Sequence, residues 1–223
     1  AIYHRYGKFD EAIDFAKKAI NLDPYYAWAH NNLGIAYTET GNTPEAIQEF
    51  KTAISISPLT PNFHFNLAIA YSKINQVSES IDEYNETIKL DHSFEGAYHN
   101  LGKLYNSQNK IDQAMETYKK GVENIPNSPL LHYELALIYS KLGRVNDYEK
   151  EMKLAIKYNE HYSQAYLALF DYYAAYNRLV ELKSLMAQYL DTTGKTKEWV
   201  KEEINNAAWM VNKEKVLEVL DEL

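Results

Sequence analysis

A leucine-to-tyrosine pattern recurs along the chain at a constant interval of 34 residues. Each copy is a leucine, a small or aromatic residue and, three positions further on, a tyrosine. The copies begin at Leu33, Leu67, Leu101, Leu135 and Leu169 and end at Tyr37, Tyr71, Tyr105, Tyr139 and Tyr173. A period of this length predicts a stack of similar supersecondary units, because one unit cannot bury its own apolar face.

The spacing inside each repeat predicts two helices, A and B. With Ala27 as position 1 of a repeat, positions 4, 8 and 11 lie on one helical stripe, since three and four residues are each close to one turn. That stripe faces helix B, and small residues at positions 8 and 20 let the two helices approach. Glycine at position 15, as at Gly41, permits the turn, and proline at position 32, as at Pro58, ends helix B.

The repeats resemble the tetratricopeptide (TPR) family. Residues 27–60 carry the family pattern at His30, Leu33, Gly34, Tyr37, Gly41, Ala46, Phe50, Ala53 and Pro58. The resemblance implies an all-α, right-handed superhelical solenoid of antiparallel helix pairs, whose helices A line a concave groove. It also implies a non-enzymatic scaffold that binds protein or peptide partners.

The resemblance divides the chain into consecutive repeats that are predicted to form one continuous solenoid. Residues 1–26 read as the end of a helix A and its helix B, which suggests a piece of a longer protein. Complete repeats follow at 27–60, 61–94, 95–128 and 129–162, with a degenerate repeat at 163–196 where Leu182 replaces the small residue. Residues 197–223 are predicted to cap the solenoid with helices at 197–212 and 213–223.

Composition excludes several functional classes. The formal net charge of −8, without a basic cluster, argues against nucleic acid as a partner. No apolar run approaches the ~18 residues of a membrane span. The absence of cysteine excludes disulfides and thiolate nucleophiles and is compatible with cytoplasm, which is favoured, and periplasm. Motifs for nucleophilic catalysis, phosphate binding or a cofactor are also missing, so no enzyme, cofactor or metal is predicted.

Histidine and tyrosine need separate interpretations. His30, His64 and His132 share position 4, but equivalent atoms of stacked repeats lie roughly 10 Å apart, too far to converge on zinc, so a structural role is predicted. Tyrosines at positions 11 and 24 are assigned to the core. A further cluster either repacks around the degenerate repeat or forms an aromatic binding surface; it comprises Tyr158, Tyr162, Tyr166, Tyr172 and Tyr176.

Asparagine recurs at position 6, at Asn32, Asn66 and Asn100. A carboxamide both donates and accepts hydrogen bonds, so it can hold a peptide backbone without reading its side chains. The series resembles the asparagine ladder in the repeat domain of O-linked N-acetylglucosamine transferase. We therefore predict a peptide-binding groove; the alternative is that these residues hydrate a helix face. The residues predicted to share the groove are Asn62, Ile35, Phe65, Ile69, His99, Lys103 and Tyr133.

The sequence lacks the residues of one well-known partner site in this family. A chaperone carboxylate clamp needs Lys and Arg at positions 2 and 6, and no repeat supplies them; residue 134, for example, is a glutamate. Two alternatives stay open. In the first, the chain is a recruitment domain of a larger enzyme, such as a glycosyltransferase. In the second, it forms homo-oligomers through the solenoid ends.

Overall fold

The computed structural model describes residues 9–223, so the helix end predicted before residue 9 lies outside the described residues. Within this range the chain forms thirteen helices and no strand. They are α1 Phe9–Leu22, α2 Ala27–Glu39, α3 Thr43–Ile56, α4 Pro61–Lys73, α5 Val77–Leu90, α6 Glu95–Ser107, α7 Ile111–Asn124, α8 Pro129–Lys141, α9 Val145–Tyr158, α10 Ser163–Ala175, α11 Leu179–Thr193, α12 Lys197–Asn206 and α13 Lys213–Asp221. The predicted all-α helical-repeat solenoid is confirmed.

The helices form two compact units, and the boundary between them falls inside α7. The N-terminal unit extends to Thr117, and the C-terminal unit starts at Tyr118. Each repeat supplies one A–B pair: α2 with α3 and α4 with α5 in the N-terminal unit, and α8 with α9 and α10 with α11 in the C-terminal unit. That the two units form one continuous solenoid stays a prediction.

The turn between helices A and B has the same backbone geometry in all five repeats from 27 to 196. Position 15 lies in the left-handed region, with φ between 56° and 85°, at Gly41, Asn75, Asn109, Gly143 and Asn177. The next residue donates its N–H to the carbonyl of the position-11 tyrosine at 2.8–2.9 Å. Glycine adopts this conformation without strain, and asparagine tolerates it better than other residues. This explains why position 15 is always one of these two residues.

Close helix approach in the N-terminal unit depends on small residues at position 8. A Cβ on Gly34 would lie 2.7 Å from the ring of Phe50, the buried aromatic at position 24 of the same repeat. In the next repeat Ala68 and Tyr84 take the same two positions and belong to one buried cluster. The predicted role of positions 8 and 24 in helix packing therefore holds in both repeats.

The core of the C-terminal unit is dominated by large aromatic side chains. Tyr166 and Phe170 on α10 are fully buried, and their ring centroids lie 4.6 Å and 5.8 Å from that of Tyr189 on α11. Leu182, which replaces the small residue at position 20, is also fully buried. The degenerate repeat is thus repacked with larger residues, which was one of the two interpretations of its tyrosines.

The C-terminal segment differs from the prediction in one boundary. The helix predicted for residues 197–212 ends at Asn206. Asp171 on α10 accepts the backbone N–H groups of Val211 and Asn212 through Oδ1, at 3.0 and 2.7 Å. These bonds hold residues 207–212 in a turn, because backbone donors bound to Asp171 are not bound within a continuing helix. Trp209 is carried on this turn.

Candidate functional site

The N-terminal unit has an open groove on its helix-A face, between α4 and α6. Its volume is about 410 Å³. The residues that line it are Ile69, Ser72, Lys73, Tyr84, Asn100, Lys103, Leu104 and Ser107. Three predicted site residues, Ile69, Asn100 and Lys103, are therefore brought together at one surface.

The three asparagines at position 6 are not equivalent in the structure. Asn32 is exposed. Asn66 is half-buried and donates from Nδ2 to Oδ1 of the buried Asn31, at 2.8 Å. Asn100 shares a hydrogen bond with the hydroxyl of Tyr84, whose pKa burial raises to about 12. Two members of the series thus have roles inside the fold, although a carboxamide has further donors and acceptors for a ligand.

The remaining predicted residues fall into three groups. Ile35 and Phe65 are half-buried and pack on the core, with the ring centroid of Phe65 4.8 Å from that of Phe94. Asn62 is exposed at the start of α4. Tyr133 belongs to the C-terminal unit, where it lines a different pocket. The structure brings none of these four residues into the lining of the groove.

Two lysines give the groove a positive side. Lys73 places Nζ 3.3 Å from Glu39 Oε1 and 3.3 Å from the carbonyl of Thr38. Lys103 is exposed on α6. Burial, together with the charge of Lys103, lowers the pKa of His99, one turn before it on the same helix. A neutral His99 leaves the charge at this edge of the groove to the lysines.

Lys73, Ser72 and Ser107 line the groove but are not among the residues predicted from the sequence. They lie at positions 13, 12 and 13 of their repeats, one turn beyond Ile69 and Lys103 at position 9. Position 13 is four residues, about one helical turn, after position 9, so the placement of Ile69 and Lys103 in the predicted groove could have identified Lys73 and Ser107. Asn31 left no comparable signal, because position 5 holds Phe65, His99 and Tyr133 in the following repeats.

The histidines at position 4 have the predicted structural role and a partner that the sequence analysis did not name. In each of three repeats the Nδ1 atom lies 2.6–2.7 Å from a glutamate on helix B, and Nε2 lies 2.9–3.1 Å from the carbonyl of the preceding repeat-ending proline. The three sets are His30 with Glu49 and Pro24, His64 with Glu83 and Pro58, and His132 with Glu151 and Pro126.

A sequence signal for these pairs was present. Glutamate stands at position 23 in the three repeats that have histidine at position 4. Where position 4 is Tyr98 or Tyr166, position 23 is Thr117 or Leu185 instead. Within residues 9–223 no group of three or more His, Asp or Glu side chains is arranged to hold a metal ion.

The helix pairs, the shared turn and the open helix-A face define the class of helical-repeat scaffolds. The family model of the TPR repeat matches residues 1–41, 34–75 and 102–143, which together exceed half of the chain. The chain belongs to the TPR family. Proteins of this family bind protein partners, and the chain is a protein-interaction scaffold. The family and its structural relatives are typically non-enzymatic.

Solved structures agree with this assignment. A crystal structure of MamA is 26% identical, superposes with a TM-score of 0.62 and covers 73% of this chain and 95% of its own. YrrB, described as a TPR protein with an unusual peptide-binding site, is 18% identical, has a TM-score of 0.55 and covers 74% of this chain and 84% of its own. At that identity, YrrB supports the fold alone. A search of curated protein sequences gave no significant match.

Among the helices of residues 9–223, none combines the length and apolar character that crossing a bilayer requires.

Proposed function

We propose that the groove of the N-terminal unit binds an extended segment of a partner protein that carries an acidic side chain. One observation carries the proposal: Ile69, Asn100 and Lys103, chosen from sequence as groove residues, line a single open depression. The groove offers an apolar wall, a carboxamide and two ammonium groups. The first suits an aliphatic side chain, the second a peptide group, and the third a carboxylate.

The charge of the groove supports this choice of partner. Lys103 is exposed and forms no ion pair within residues 9–223, so its ammonium group is available to a carboxylate. Lys73 is already shared with Glu39 at 3.3 Å, so it supplies a weaker attraction. Because both lysines are solvent-accessible, we expect the interaction to weaken with added salt.

The test is a selection of random displayed peptides on the intact chain, followed by affinity measurements on the enriched peptides. We expect acidic peptides to be enriched and Lys103→Glu to weaken their binding by about tenfold or more, since it replaces attraction by repulsion. Lys89→Glu is the matched control. It makes the same charge change on α5, where Lys89 is exposed and pairs with Glu86.

Two outcomes would contradict the proposal. If the enriched peptides contain no acidic residues, the groove does not select an acidic partner. If Lys103→Glu and Lys89→Glu weaken peptide binding equally, only the net charge of the chain matters. Asn32→Ala tests the asparagine series separately. Asn32 is exposed, so this change avoids the hydrogen bonds made by Asn66 and Asn100, and a loss of affinity would assign Asn32 to the binding surface.

A further inference from the structure

The C-terminal unit contains a pocket of about 520 Å³ between α8, α9 and α10, closed on one side by the turn after α12. This volume is within the range of pockets that take a small ligand or a large side chain. Aromatic rings and one carboxylate dominate its lining; the residues that matter here are Tyr133, Tyr148, Tyr172, Tyr176, Trp209 and Asp171.

Some of the rings that line this pocket are buried in the core, and others are exposed. Tyr172 is central, with its ring centroid 5.2 Å from that of Tyr148 and 4.8 Å from that of Tyr176. Tyr148 is buried, and its hydroxyl donates to the carbonyl of Ala168 at 3.0 Å. Tyr176 and Trp209, in contrast, are 57% and 52% exposed. Aromatic surface left open in a concave site attracts cations through its π-faces.

Asp171 supplies a carboxylate with one oxygen held by the fold. Its Oδ1 accepts hydrogen bonds from the backbone N–H of Val211 and of Asn212, and from Nδ2 of Asn212 at 3.1 Å. For Oδ2, residues 9–223 provide no hydrogen-bond partner. The first oxygen fixes the turn that carries Trp209, and the second can accept a hydrogen bond from a ligand.

The lining of the pocket supplies no positive charge to pair with the carboxylate of Asp171. No Lys, Arg or His belongs to the described lining. Arg178, just before α11, has its guanidinium carbon 6.0 Å from the ring centroid of Tyr172, but Glu149 and Glu181 both bind it. An apolar occupant would cover Asp171 without satisfying it, and burying an unpaired carboxylate is unfavourable. A cationic occupant would satisfy both the carboxylate and the rings.

We propose that this pocket binds an arginine side chain of a partner protein. The guanidinium group meets Oδ2 of Asp171 and stacks on the exposed rings of Tyr176 and Trp209, while the methylene stem lies against the tyrosine walls. The site goes beyond the proposed function, because it lies in the C-terminal unit and selects the opposite charge. Failure of one site therefore says nothing against the other.

The probe is Nα-acetylarginine methylamide, titrated into the intact ¹⁵N-labelled chain. The chain has three tryptophans, so the indole N–H of Trp209 can be assigned by its loss in Trp209→Phe. We expect the arginine probe to shift this signal saturably. The norleucine analogue, which has a similar stem and no charge, should give no saturable shift.

Two variants test the two parts of the site. Asp171→Asn keeps an acceptor for the turn but removes the charge, and we expect about tenfold weaker binding of the arginine probe. Asp191→Asn on α11 is the control, since it removes the same charge from an exposed residue outside the pocket. Tyr176→Leu removes a π-face from an exposed position and should also weaken binding.

Three results would overturn the proposal. A Trp209 shift with norleucine equal to that with arginine would indicate an apolar pocket, and absence of any shift would show that the pocket takes no such side chain. Equal weakening by Asp171→Asn and Asp191→Asn would mean that only net charge attracts the probe. The dispersion of the amide spectrum shows whether each variant remains folded.

Discussion

The two units use the same repeat to present opposite chemistry. Position 9 is Lys103 in the groove of the N-terminal unit and Asp171 in the pocket of the C-terminal unit. The groove combines the apolar Ile69 and Leu104 with Lys73 and Lys103, whereas the pocket is walled by tyrosines and by Trp209. The turn at position 15 has the same backbone geometry in both units. The charge at position 9 therefore differs between the units on a shared scaffold, although Asp171 also holds the turn after α12.

The largest expected difference between the units concerns the buried histidine–glutamate pairs. Glu151→Ala should lower the free energy of unfolding by about 3–5 kcal/mol, because His132 and Glu151 are 7% and 9% exposed and the histidine would lose a partner in a buried site. Glu83→Ala should cost only about 1–2 kcal/mol, since the side chain of Glu83 is 25% exposed and water can replace it. Denaturant unfolding of both variants measures the contrast.

A matched control for this contrast places the residues of another repeat at positions 4 and 23. His132→Tyr combined with Glu151→Thr reproduces the pair found at Tyr98 and Thr117. The double variant leaves no buried histidine without its glutamate. Its loss of unfolding free energy should therefore be smaller than that of Glu151→Ala. Equal losses for Glu151→Ala and Glu83→Ala would show that burial does not distinguish the two pairs.

A second comparison concerns position 8. Gly34→Ala should destabilise the N-terminal unit by about 1–3 kcal/mol, because its Cβ would lie 2.7 Å from the buried ring of Phe50. The reverse change in the C-terminal unit, Ala136→Gly, should cost about 1–2 kcal/mol, from helix propensity and from the loss of a fully buried methyl group. Thermal unfolding followed by circular dichroism measures both. A neutral Gly34→Ala would mean that the Phe50 ring moves aside freely.

The smallest expected effect is a pH dependence at His64. The hydrogen bond to Glu83 raises the pKa of His64 above 6.5, and the Pro58 carbonyl adds to this, while burial opposes it. The folded state therefore holds the proton more tightly than the unfolded chain does. This contribution to stability is fully present below pH 6.5 and is lost as the pH rises through the folded-state pKa.

The pH effect is measured as unfolding free energy at about pH 6 and about pH 8. The wild-type chain should lose more stability over this interval than His64→Tyr, which places the residue found at position 98 in the same site. An identical loss in both proteins would contradict the assignment of the titration to His64.

The sequence predicted the parts of the fold that repeat. The period predicted an all-α helical-repeat solenoid, because Leu67, Tyr71 and their equivalents recur at one interval. It also placed Ile69, Asn100 and Lys103 on one stripe, which the structure brings together in the groove. It could not predict that Asn66 bonds to Asn31, since that contact joins two different repeats and occurs once.

The C-terminal pocket shows a second limit of sequence reasoning. Trp209 lies on a turn that Asp171 holds through the backbone N–H of Val211, forty residues later, whereas the amphipathic pattern predicted a helix to residue 212. The members of the tyrosine cluster differ in their surroundings, and the binding role predicted as one alternative stays a prediction. Tyr166 is in the core, while Tyr172 and Tyr176 line the pocket. Periodicity locates such side chains on a helix but does not show which non-repeating segment covers them.

The proline carbonyls bound by the position-4 histidines affect how the repeats unfold. Each of these bonds ties a helix A to the end of the preceding helix B, so losing one repeat removes a bond from its neighbour. In a linear array such links add to the nearest-neighbour terms that make unfolding cooperative. Tyr98 and Tyr166 stand in this position at the start of repeats 95–128 and 163–196. At these two junctions, tyrosine therefore replaces the histidine that forms the link elsewhere.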